Sequence, residues 1–196
     1  PTFKDQNTSI HLLEAFTAAV QVWPNDLLKE RLQEILELVR DTMVNEKGSL
    51  DLFFTKDWKP VDHSNETRDF ILENIYTDHV SFGHDIETAY LLVDASRALY
   101  GKADSLTIRT AKKLIDHSLD EGFDKNYYGI FDKGYYFKGK DEIEIVSRHK
   151  VWWGQAEAWH ALALINQYFP DEKRYTDAFV KMWTYINEQM IDRKYG

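Results

Sequence analysis

No cysteine occurs among the 196 residues. Disulfides, thiolate nucleophiles and thiolate metal sites are therefore excluded, and the composition fits a cytoplasmic protein. No apolar run is long enough to cross a bilayer, so nothing points to a membrane partner. A basic stripe is missing as well. The chain has 33 acidic residues against 24 basic ones, a net charge of −9, and KGKDEIEIVSRHK is mixed in sign. That balance argues against nucleic acid as a partner and for a charge that serves solubility. There is no glycine-rich phosphate loop, no G-x-S-x-G elbow and no H-E-x-x-H pair. The opening residues PTFKDQNTS lack the basic-then-apolar pattern of a leader and a starting methionine, so we expect a chain that is processed or preceded by further residues.

What is present suffices for a core. Hydrophobic residues make up 43 % and aromatics 14 %, which suits one domain or a large piece of one, taken here as residues 1–196. Apolar residues recur at helical spacing in six places. The spacing predicts helices over roughly 9–22, 27–44, 84–99, 106–122, 150–168 and 173–190, with Asn25 or Asp26 capping the second and Asp104 or Ser105 the fourth. They form three helical hairpins joined by short turns. Longer aromatic segments lie between the hairpins and hold strand-like pieces, SLDLFF, YYGIF and GYYFK. The predicted fold class is all-α, with short β-hairpin-like loop segments.

Set on a glutamate, the odd-numbered helices align: HLLEAF at 11–16, HDIETAY at 84–90 and GQAEAW at 154–159. Each has a Glu about one turn in, then an aromatic, and the starts lie roughly 70 residues apart. Such a degenerate repeat predicts stacked or circularly arranged hairpins whose inner helices point their N-terminal ends at one face. His11, Glu14, His84, Glu87 and Glu157 would meet there. A His and a Glu three residues apart share a helix face. The helix N-terminus lowers the imidazole pKa and an ionised Glu raises it, so the pair is suited to hold a histidine near neutrality for general acid–base work.

A metal site built from these histidines and glutamates is the rival reading. The di-iron order is Glu-x-x-His, the reverse of this one, so we expect no metal. In RHKVWWGQAEAW, 148–159, the adjacent tryptophans cannot share one helix face, and one projects toward a cavity or loop. Tryptophan rings stack on sugars while Glu and Gln bond hydroxyls; plain core packing is the simpler alternative. Trp58, Tyr127, Tyr128, Tyr135 and Tyr136 line a pocket or cover the hairpins. His63, His79, His117 and His160 read as structural, and His149 stays open.

NTSIHLLEAFT at 7–17, FGHDIE at 82–87 and KVWWGQAE at 150–157 resemble, in this order, three blocks of the family of cellobiose 2-epimerases and N-acylglucosamine 2-epimerases. They span most of the chain. Gly154 departs from the commoner forms of the third block, Ser9 stands where many members have another histidine, and the segment before FGHDIE is longer than usual. The resemblance implies an (α/α)6 barrel of six inner and six outer helices, of which this chain is the central-to-late half. It implies that the chain lacks the first helices, with a substrate-binding arginine, and the last inner ones, with a further catalytic histidine. By the same resemblance His84 is the general acid–base at sugar C2, Glu87 its neighbouring carboxylate and His11 an aid to ring opening. Asn7, Trp152, Trp153 and Glu157 are substrate contacts, and no cofactor or metal takes part. A half-barrel on its own would expose apolar flanks of its inner helices, so we expect it to self-associate.

The activity so implied is epimerisation at C2 of the reducing-end aldose of a β-1,4-linked disaccharide of the cellobiose or mannobiose type. The ring opens, one base removes the C2 proton beside the aldehyde, an enediolate forms, and an acid returns a proton to the opposite face. An N-acylglucosamine 2-epimerase is one alternative. A glycoside hydrolase using Asp85, Glu87 or Glu157 is a second. A non-catalytic sugar-binding helical module is the third.

Overall fold

The computed structural model describes residues 3–140 and 142–195. Pro1, Thr2, Asp141 and Gly196, which the single-domain reading includes, lie outside them. The described residues form seven α-helices: α1 (Gln6–Val22), α2 (Asp26–Leu38), α3 (Arg68–Glu73), α4 (Phe82–Tyr100), α5 (Ser105–His117), α6 (Trp152–Tyr168) and α7 (Lys173–Tyr185). Side chains start them. Asp5 accepts from the Thr8 amide, Asn25 from Leu27 and Leu28, and Asp104 from Leu106 and Thr107, satisfying N–H groups that have no partner within the helix. α4 ends on Gly101 at φ 76°, where a side chain would be strained. The outer helices α2, α5 and α7 each finish in a wider π-type turn.

The three long hairpins α1–α2, α4–α5 and α6–α7 stand side by side. α1, α4 and α6 are neighbours in one layer, with α2, α5 and α7 behind them. The two layers follow from the apolar patterns. α2, α5 and α7 each bury a single stripe: Leu32 and Leu36; Ala111, Leu114 and Ile115; Tyr175, Ala178 and Met182. α4 is buried on nearly every side, because α1 and α6 flank it while α2 and α5 cover its back. The core runs through Ile10, Leu13, Ile86, Leu92, Leu162 and Ile165. At the flanks Leu12 and Trp152 are exposed.

Short strands feed two of the inner helices. β1 (Lys4–Asp5) pairs antiparallel with β2 (Phe53–Phe54) and leads into α1. β3 (Val80–Ser81) runs into α4 and pairs with β4 (Lys133–Tyr135), which pairs with β5 (Glu144–Ser147). The pairing Ser81↔Lys133 sets Asp132 and Lys133 beside the start of α4.

Several expected boundaries differ. α1 starts at Gln6 because Asp5 caps it, α4 starts at Phe82 and α6 at Trp152. YYGIF is not a strand: Tyr128 takes a positive φ of 61° in a turn, leaving an isolated bridge between Phe123 and Ile130. β2 occupies only the end of SLDLFF, and β4 begins one residue before GYYFK. β1, β3, β5 and α3 were not foreseen, since two to six residues are too short to show a period.

Candidate active site

The N-terminal ends of α1, α4 and α6 meet at one end of the inner layer. Gly83 lies where α4 and α6 come together. A Cβ on Gly83 would lie 2.8 Å from the Trp153 ring, and one on Gly154 would lie 3.5 Å from the Gly83 Cα. The Trp153 ring lies across Gly83, where a side chain would press on it, and comes to lie against His84 with ring centroids 4.8 Å apart.

His84 Nδ1 and the Ser81 hydroxyl share a hydrogen bond of 2.7 Å across the first turn of α4. Burial pushes the imidazole down to about 4, and His11 adds to that push; Asp132 and Lys133 act in opposite directions. His84 is thus a neutral imidazole at pH 7. This corrects the expectation of a histidine balanced near neutrality by its own helix partner, for its hydrogen bond goes to Ser81 and not to Glu87. Glu87 instead faces other carboxylates. Burial raises it to about 7, Glu157 and Glu14 add repulsion, and His11 opposes them. Glu157 accepts a hydrogen bond of 2.7 Å from the Tyr90 hydroxyl, whose own pKa is raised chiefly by burial. The Tyr90 ring lies 4.2 Å from that of His160. On α1, His11 Nδ1 sits 3.0 Å from Glu14 Oε2 in an exposed pair.

A cavity of about 220 Å³ opens beside His84, bordered by Gln6, Asn7, Phe53, Tyr76 and His79. A larger hollow of about 630 Å³, with Lys47, Arg109 and His117 on its walls, includes none of His11, His84, Glu87 or Glu157 and is not the site of this chemistry.

His11, His84, Glu87, Glu157 and Trp153 are gathered at this end, and Asn7 borders the cavity. Trp152 is 73 % exposed and, among the described residues, stacks on no other ring, so of the adjacent pair it is Trp153 that packs on His84. Asp85, considered above as a hydrolytic carboxylate, is completely buried and bonds the Leu50 amide; it faces away from the cavity and is withdrawn from that role. Sequence reasoning gave no role at the site to four groups, two of which, His79 and His160, it read as structural. Gln6 is buried, with an Oε1 that has no partner among the described residues. His79 is buried and pushed down to about 4, mainly by desolvation. Tyr90 and His160 complete the aromatic and carboxylate cluster. Only Tyr90 left a trace, as the aromatic one turn after the aligned glutamate.

Among the described residues no three His, Asp or Glu side chains are set to hold a metal ion. None of the described helices is long and apolar enough to cross a membrane.

Paired inner and outer helices whose inner N-termini converge on imidazoles and carboxylates define a piece of an α/α-barrel protein. The sequence profile of the N-acylglucosamine 2-epimerase (GlcNAc 2-epimerase) family matches residues 1–196, and the chain belongs to that family. It is 24 % identical to a cellobiose 2-epimerase of Dictyoglomus turgidum, over 97 % of this chain and 43 % of that protein. It is 28 % identical to a D-mannose isomerase of Thermobifida fusca, over 99 % of this chain and 46 % of the relative. The solved structure of cellobiose 2-epimerase from Bacillus thermoamylovorans superposes with a TM-score of 0.78 at 24 % identity, covering 97 % of this chain and 43 % of that one. The fold is therefore that of part of an (α/α)6 barrel, and the chain spans less than half the length of these relatives.

Proposed function

We propose that this chain carries the C2 proton-transfer half of a sugar 2-epimerase acting on the reducing end of a β-1,4-linked disaccharide. The observation that carries the reading is His84: a half-buried neutral imidazole, packed against Trp153 with the rings tilted at 48°, at the wall of a cavity that Asn7 and Gln6 also border. With Nδ1–H donating to Ser81, Nε2 is the free base that takes the C2 proton from the open-chain aldose. The electron pair moves toward C1 and the enediolate oxygen acquires charge. Glu87, raised to about 7, keeps a proton on a large fraction of molecules at neutral pH and donates to that oxygen. His11, with Glu14, assists ring opening. Trp153 and Glu157 hold the sugar with Asn7, Gln6 supplies a hydroxyl acceptor, and Trp152 lies at the rim. The group that returns the proton to the opposite face is assigned to the rest of the barrel. No cofactor is required by this chemistry.

The match to a D-mannose isomerase favours one second reading. Return of the proton to C1 rather than C2 converts the same enediolate into a ketose. Incubation with cellobiose in heavy water separates the cases. Deuterium at C2 with a 2-epimeric disaccharide supports epimerisation, a ketose product indicates isomerisation, and release of free monosaccharide indicates hydrolysis. Wild-type exchange rates in His84→Ala would overturn the assignment of the base.

A further inference from the structure

Between β2 and β3 the chain makes an arm, residues 63–79, that packs apart from the main core. Ile71 of α3 is buried with Tyr135 and Phe137 in a small cluster of their own, edged by Ile75 and Val146. The Arg68 guanidinium lies 4.3 Å from the Phe137 ring and bonds Glu144. Asp78 closes the arm at its base: Oδ2 accepts the His63 N–H at 2.6 Å and the Tyr135 hydroxyl at 2.8 Å. So held against β4 and β5, the arm brings Tyr76 and His79 to the cavity beside His84. Neither has a part in the proton transfers proposed above.

A carbonyl only accepts, so buried His79 donates from Nδ1 to the Ile75 carbonyl at 2.7 Å. That bond closes the 3-10 turn Ile75–Thr77, on which Tyr76 sits. The Tyr76 and His79 rings meet at 87° with centroids 6.2 Å apart. Lys133 Nζ stands over the Tyr76 ring at 5.1 Å. Yet Tyr76 is 69 % exposed. A large ring fixed by its turn, an imidazole and an ammonium group, and still open to water, is preorganised to receive a ligand. Size indicates which part of the ligand. The cavity holds about 220 Å³, less than the roughly 300–1,000 Å³ of pockets that enclose a drug-sized molecule. It has room for one hexose ring and not for two, so the second ring of a disaccharide lies at its edge. We propose, resting on the epimerase reading, that Tyr76 is a specificity-determining contact whose ring carries the distal, non-reducing hexose while the reducing ring lies against His84, and that His79 is the positioning residue that holds Tyr76 there. The apolar C–H face of a pyranose suits an aromatic platform of this kind.

The test compares a ligand with a distal ring to one without. For the protein carrying the whole chain, kcat and KM are measured with cellobiose at pH 7, together with the inhibition constant of glucose in competition with it. Tyr76→Ala should raise the cellobiose KM about 3- to 10-fold, the worth of one stacked ring, with kcat within about twofold of wild type. The glucose constant should stay within about twofold, since glucose has no distal ring. Tyr76→Phe keeps the ring and should rescue the cellobiose KM. His79→Ala should raise the cellobiose KM in the same selective way, and the double substitution should be no worse than about twofold beyond the larger single one, because the two act as a unit. An unaltered cellobiose KM in Tyr76→Ala would overturn the proposal, and so would equal weakening of cellobiose and glucose. Tyr76→Ala and Tyr76→Phe decide the matter alone if His79→Ala does not fold. If the wild type shows no C2 exchange with cellobiose, the epimerase reading fails, and calorimetric titration with cellobiose judges the arm by itself: binding that weakens about 3- to 10-fold in Tyr76→Ala upholds the contact, and equal affinity or no binding overturns it.

Discussion

His11-x-x-Glu14 on α1 and His84-x-x-Glu87 on α4 have the same spacing and sit at matching helix starts, yet they behave as different chemical objects. The α1 pair is joined directly at 3.0 Å, with side chains 49 % and 55 % exposed. In the α4 pair the partners are divided: His84 bonds Ser81 and packs on Trp153, and Glu87 looks toward Glu157. The reason lies in what surrounds each helix. α4 is walled in by α1, α6, α2 and α5, whereas α1 has neighbours on one side among the described residues. Burial removes the water that would otherwise level the two motifs, so that one imidazole is held neutral and one carboxylate is held near 7.

The sharpest way to break this comparison is to delete each imidazole in turn. His84→Ala should cost about 10²- to 10⁴-fold in kcat, the range for a positioned acid–base group. His11→Ala should cost about tenfold, as a group that aids ring opening without touching C2. Equal losses would mean that the buried motif has no special share in proton transfer. The pH profile of kcat/KM divides them further. The rate should rise as His84 loses its proton through about 4 and fall as Glu87 loses its own through about 7. Glu87→Gln should erase the fall on the basic side, and an unchanged profile would place that limb on another group.

Much of this end of the molecule was legible from the residues. The three aligned glutamates with two histidines did converge, because inner helices of a repeating hairpin begin at the same level. What could not be seen was environment. The spacing of His84 and Glu87 suggests a bond that Ser81 and Glu157 in fact redirect, and those partners come from three residues back and 70 residues on. Gln6 drew no notice and His79 read as structural, because neither sits in a periodic pattern. Their importance comes from β1 and β3, strands of two residues, which deliver the chain to the helix starts. Asp85 belongs to the same short motif as His84, and motif membership alone made it look like a reacting group until its burial was known.

Stability sharpens the contrast in a second way. Glu87 is raised to about 7 from an ordinary 4.5, so the folded state holds its proton more tightly than the unfolded chain does. The associated stability is complete below about 4.5 and is lost as pH rises to about 7. Glu87→Gln escapes that loss. Above pH 7 it should be more stable than wild type by about 2 kcal/mol in denaturant unfolding, with the gap closing below about 4.5. The imidazoles of buried His79 and His117 and half-buried His84 work in the other direction. Each is lowered to about 4, so their contribution is present above about 6.5 and disappears as pH falls through 4. Glu87→Gln should leave that acid-side loss unchanged.

Gln6 offers a finer test, because its Oε1 is buried at the cavity wall without a partner among the described residues. If a substrate hydroxyl satisfies it, Gln6→Ala should raise KM by about tenfold with kcat little changed, the cost of one hydrogen bond in a buried place. An unaltered KM would show that the sugar does not reach the start of α1.

The smallest effect belongs to the exposed pair. Glu14→Gln removes the carboxylate partner of His11 at an exposed position, and exposed pairs of this kind contribute about 0.2 to 1 kcal/mol. Chemical unfolding at pH 6 and at pH 8 should therefore show a difference from wild type below about 1 kcal/mol, smaller still in high salt. A loss as large as the gain expected at Glu87 would show that the first turn of α1 is covered in solution, and that the two motifs are more alike than their exposure suggests.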